Sequence, residues 1–138
     1  MMRSVRFPAR LSASIVLAAV SLPASSQPAP PPLAALKSIE HGLWELQEKG
    51  SKAAPQRLCV RDPMMLMQVR HGASVCSRFV VENAQTRGTV YYTCPGAGHG
   101  QTSIRVESPR LFQLDSQGII DKSPFNASYE GRFAGVCR

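Results

Sequence analysis

The chain lacks most of the patterns that announce chemistry. It has no Cys-x-x-Cys pair, which excludes a thioredoxin-like dithiol, and none of its cysteine gaps is as short as the roughly two to four residues of a zinc knuckle or ribbon. It has no Gly-x-Ser-x-Gly elbow, so a hydrolase nucleophile of that kind is excluded. The glycine-rich stretch Gly96–Gly100 lacks the Gly-Lys-Ser/Thr ending of a phosphate cradle and reads as a flexible turn. His41, His71 and His99 lie near turn signals with no second histidine four residues away, and are expected to be solvated loop residues. Asp62, Asp115 and Asp121 sit at turn-like places where Asp caps backbone N–H groups, so no acid pair for glycoside chemistry is indicated. Long amphipathic helical periods are also missing. A catalytic function is therefore not expected, and no cofactor is called for.

What the chain does have begins with an export signal. Arg3, Arg6 and Arg10 precede an apolar run, Leu11 to Leu22, that is too short for the ~20 residues a membrane-spanning helix needs and suits a signal-peptide core. Small residues at Ala24 and Ser26 place cleavage after Ser26, with Ala24 as second choice. Residues 1–26 are thus expected to be a signal peptide, leaving no transmembrane anchor after cleavage. Its removal takes three arginines from a chain of net charge +7. The mild basic bias left favours an anionic envelope component over nucleic acid, which is not expected as a partner of an exported protein. Localisation is read as periplasm or secreted.

Cys59, Cys76, Cys94 and Cys137 all follow the signal, and an even count in a small exported domain means a disulfide framework. Residues 75–82 and 88–94 read as an antiparallel hairpin folded about Gln85. If opposed residues sum to 170, Val80 faces Val90, Arg78 faces Tyr92, and Cys76 faces Cys94 closely enough to bridge. That pairs Cys59 with Cys137. Cys59 with Cys76 and Cys94 with Cys137 is the competing connectivity.

Residues 27–38 (QPAPPPLAALKS) read as a proline-rich disordered leader, and residues 39–138 as a single β-rich domain. Gly42–Glu48 alternates Trp44 and Leu46 with Glu45 and Gln47; Arg57–Val60 can return beside it. Asp62 as cap and Pro63 at the first helical position predict one short helix near 62–69. Thr102–Glu107 alternates cleanly and Leu111–Leu114 resumes after Pro109. Asp115–Gly118 is expected to turn into Ile119, and Tyr129–Cys137 is expected as the last strand, with Tyr129, Phe133 and Cys137 on one face. The fold class is mostly all-β: a small antiparallel meander of seven or eight strands, curled into a barrel or half-barrel, packed on the short helix and stabilised by disulfides.

Gly-Leu-Trp-Glu at 42–45, a cysteine before a short helix, a cysteine-bounded hairpin, SIRVESPRLFQLDSQGI at 103–119 and a terminal Gly-x-Cys occur here in one order. In this the chain resembles the bacterial exported family called domain of unknown function 3617, over nearly all of the mature part. The resemblance implies a secreted or periplasmic bacterial protein with a small β-rich fold and no catalytic residues to carry over. The Thr- and Met-rich strands that many members show after the third cysteine are absent here, so no ligand role is carried over for them.

The expected function is that of a non-enzymatic periplasmic binding or interaction module. A curled sheet could turn Trp44, Tyr92, Phe112, Tyr129 and Phe133 toward a small apolar ligand. Another envelope protein is the alternative partner. An inhibitor of an envelope hydrolase is a further reading, although a basic inhibitor would forgo electrostatic steering onto basic lysozymes. Cu(I) handling is the third, through Met64, Met67 and His71, but Met64 and Met65 diverge on a helix and Met also suits a core plug.

Overall fold

The computed structural model describes residues 31–138. The segment expected to be a signal peptide, 1–26, and the first four residues of the expected leader, 27–30, lie outside the described residues. Seven strands follow in chain order: β1 (Gly42–Glu48), β2 (Gln56–Val60), β3 (Ser77–Asn83), β4 (Arg87–Cys94), β5 (Gly98–Ser108), β6 (Leu111–Ile120) and β7 (Ser123–Gly135). All neighbours pair antiparallel in one sheet of order β2-β1-β7-β6-β5-β4-β3. The meander β3 to β7 is continuous, and β1 closes onto β7. β2 and β3 are therefore edges, and the curled sheet stays open rather than forming a barrel.

Period-two patterning accounts for most strands. Gly42, Trp44 and Leu46 of β1 are buried while Leu43, Glu45 and Gln47 are only half-buried; Thr102, Ile104 and Val106 of β5 and Phe112, Leu114 and Ser116 of β6 also point inward. The β3–β4 register is the one inferred from the cysteines: Val80 opposite Val90 and Arg78 opposite Tyr92, with a bulge after Val80. Cys76 bonds Cys94 and Cys59 bonds Cys137, so the competing connectivity falls. Two such bridges place the folded chain in an oxidising, extracytoplasmic environment. Among the described residues no helix is long and apolar enough to cross a membrane.

The expected short helix is a 3-10 turn over Pro63–Gln68, with Pro63 in its first turn and the Asp62 carboxylate accepting from the Met64 N–H at 2.9 Å. A second such turn was not foreseen. Ala34–Ser38 forms one inside the segment read as a disordered leader. Leu33, Ala35 and Leu36 are buried, Leu33 lies against Gly88, and the Ala34 N–H donates to Asn83 Oδ1 at 2.7 Å. The proline run ends at Pro32, and the Leu-Ala-Ala-Leu that follows is apolar enough to dock. The packed domain thus begins at Leu33, not Ile39. Both turns lie on β4 and β5 and fill the inner face of the sheet.

One turn expectation fails and another is narrowed. Asp115–Gly118 does not turn: β6 runs straight through it to Ile120, held by Ser128 donating to Asp115 and by a buried Thr102–Ser116 hydroxyl pair at 2.8 Å. The real reversal is Asp121–Lys122, both at positive φ (48° and 67°), a two-residue loop of the primed kind between Ile120 and Ser123. β7 accordingly starts at Ser123 rather than Tyr129. The glycine-rich turn is present but shorter than expected: Pro95–Ala97 reverses the chain, with Gly96 at φ 79° and the Ala97 N–H donating to the Cys94 carbonyl at 2.9 Å, while Gly98 and Gly100 belong to β5. A Cβ at Gly100 would strike the Tyr92 ring, and one at Gly98 the Ile119 carbonyl, so these glycines allow close approach within the sheet.

Candidate functional site

Of the five aromatic residues expected to face a ligand, four are core. Trp44, Tyr92 and Phe112 are fully buried and Tyr129 nearly so. Trp44 packs on Phe112 with centroids 4.8 Å apart and donates its indole N–H to the Glu40 carbonyl at 2.9 Å; Phe112 in turn lies over Gly131. Phe133 is half-buried at the rim, edge-on to Trp44 and covered by the Arg110 guanidinium at 4.7 Å. The volume in which a barrel would hold a ligand is occupied by Leu33, Leu36, Leu66 and Met67.

His71 is not a solvated loop histidine either. It is buried, with Nε2 3.1 Å from the Ile119 carbonyl and Nδ1 3.0 Å from the Tyr92 hydroxyl. A carbonyl only accepts, so this network assigns the proton of the neutral ring to Nε2 and lets Nδ1 accept from Tyr92. Burial pushes the Tyr92 phenol above its ordinary pKa. With both ring nitrogens spent, His71 has no lone pair to offer a metal. Met67 is buried in the core, and Met64 borders a separate groove with Leu36 and His41. The three weak copper candidates thus do not form one site. No cluster of three or more His, Cys, Asp or Glu suited to a metal occurs among the described residues.

The outer face carries a different constellation. Across β3 to β7 the register aligns Phe79, Tyr91, Gln101, Gln117 and Asn126 in one row. Tyr91 leans on His99 with ring centroids 6.0 Å apart. A shallow trough of about 480 Å³ runs along this row, with Tyr91 and His99 at its β4 end, Asn126 on β7, and the backbone of Gly100 and Gly118 below Gln101 and Gln117. The next row, Thr89, Ser103, Asp115 and Ser128, is hydrogen-bonded to itself in pairs.

The same end of the sheet exposes large apolar side chains. Val75 is 89% exposed, Phe79 69%, Val81 56% and Tyr91 41%, three of them on or beside the unpaired edge strand β3. No family model, curated protein or solved structure matches the chain. The site therefore rests on its own chemistry. Sequence reasoning passed over Phe79 and Val81, yet the signal was present: the register that brings Cys76 to Cys94 sets Phe79 opposite Tyr91 on the face away from Val80 and Tyr92.

Proposed function

We propose that the chain is an exported, non-catalytic binding module of the bacterial periplasm, and that its contact surface is the outer face at the β3–β4 end. The observation that carries this reading is the group Val75, Phe79, Val81 and Tyr91, exposed together at a free sheet edge. Edge strands that stand alone are usually blunted by charge or proline, and a contiguous apolar patch on such an edge marks an interaction surface. The N-terminal signal pattern and the two disulfides support export. The likeness to domain of unknown function 3617 rests on motif order alone and agrees with it. Binding rather than catalysis is favoured because His71 is buried with both ring nitrogens engaged and its hydroxyl partner, Tyr92, is itself fully buried, out of reach of a substrate.

A photo-crosslinking residue at Val75, in protein exported to a bacterial periplasm, tests this. Discrete adducts are expected, and Phe79→Ser with Tyr91→Ser should abolish them. Unfolding free energy should fall by no more than about 2 kcal/mol, since Phe79 is largely exposed and Tyr91, its cross-strand partner, about two-fifths exposed. Adducts that survive the double substitution, or that form equally from a probe at Gln56 on the opposite edge, contradict the proposal.

A further inference from the structure

The trough beside the apolar edge has a chemistry of its own. Gln101, Gln117 and Asn126 each present an amide donor and an amide acceptor, and none of the three is engaged by another side chain among the described residues. Tyr91 adds an aromatic face with a hydroxyl at its tip, and Phe79 extends that face to the sheet edge. Among the described residues no Lys or Arg lines the trough, and the one guanidinium stacked on its lining, Arg70 over Phe125, is spent on that ring, so a phosphate or carboxylate would find no permanent countercharge there. It is too open to desolvate a lipid tail, and it crosses the strands, whereas a docking peptide strand would run along β3.

We propose that this trough binds a hydroxyl-rich, uncharged stretch of glycan, an assignment that rests on the outer face being the contact surface. Neighbouring hydroxyls on a sugar ring are each donor and acceptor, which a side-chain amide matches with both of its groups at once. The less polar C–H face of a pyranose packs on an aromatic ring, so Tyr91 supplies the apolar contact and the amide row the orientation. Three inter-strand gaps separate β4 from β7, about 14 Å in all, the reach of a short oligosaccharide. The row is therefore a track laid across the sheet.

The test uses the folded, oxidised protein, isotopically labelled, titrated with chitotetraose, cellotetraose and maltotetraose and followed by amide chemical shifts. Saturable shifts are expected at Tyr91, Gln101 and Gln117 with at least one of the three. Tyr91→Ala and Gln117→Ala should each weaken binding by about tenfold, Tyr91→Phe should retain it, and Gln113→Ala, whose amide is spent on Glu130, should leave it unchanged. Absence of binding by all three sugars, or shifts that the trough substitutions do not alter, overturns the glycan assignment. If Val75 adducts still depend on Phe79 and Tyr91 in that event, the contact surface stands and its partner is a protein. If glycan binds while no adducts form, the apolar edge is the part that fails.

Discussion

Replacing Cys59 and Cys137 together by serine is expected to lower the unfolding free energy by about 4 kcal/mol, more than the loss of the other bridge. The cysteines of this bond are 78 residues apart in sequence, whereas Cys76 and Cys94 are separated by 18. On the chain-entropy account the longer loop restricts the unfolded ensemble more, and the shorter one is worth about 3 kcal/mol. Geometry adds to the difference. β2 is a short edge strand held on one side only, by β1, and the bond fastens it to the tail beyond β7. The β3–β4 hairpin keeps its ladder without help. Urea unfolding of the oxidised parent and of the two double-serine variants measures both losses. A smaller loss for the Cys59–Cys137 variant would contradict the assignment of that bond as the main staple.

The second large effect is expected from Trp44→Ala, about 3–5 kcal/mol. The indole is fully buried, touches Phe112 and Phe133, and satisfies the Glu40 carbonyl. In a domain whose whole stability is of the order of 5–15 kcal/mol, that loss consumes a large share. Trp44→Phe keeps much of the ring packing but strands the carbonyl, and should cost about 1–3 kcal/mol. Because Trp44 is the one tryptophan, far-UV circular dichroism rather than fluorescence must follow the unfolding. A loss well under 1 kcal/mol for Trp44→Ala would mean that Trp44 faces a ligand after all.

The contrast between these residues and the outer face explains what could be read before the fold was known. Alternation around Trp44 fixed β1 to the residue, and two cysteines fixed the β3–β4 register, because both signals are local and have period two. The β6–β7 reversal was hidden. Asp121 and Lys122 adopt positive φ without the Gly or Asn that normally advertises such a turn, while the Asp115–Gly118 stretch has turn composition and stays extended. Leu33–Leu36 was hidden by the prolines before it. Its docking depends on Gly88 and Asn83, roughly fifty residues away in sequence, and no local pattern reports that. The aromatic residues failed differently. Once the two 3-10 turns fill the inner face, Trp44, Tyr92, Phe112 and Tyr129 have only a core role left, and the exposed chemistry passes to Phe79, Tyr91 and the amide row.

The most direct measurement of the central claim is an amide chemical-shift map of the labelled, oxidised protein with a bacterial envelope extract added. Perturbation or broadening confined to β3, β4 and the outer-face residues of β5 and β6, centred on Phe79 and Tyr91, is the result predicted. Perturbation centred instead on β1, β2 and Val136, the exposed residue that follows β7 beside Leu43 and Arg57, or none at any concentration of extract, would contradict it.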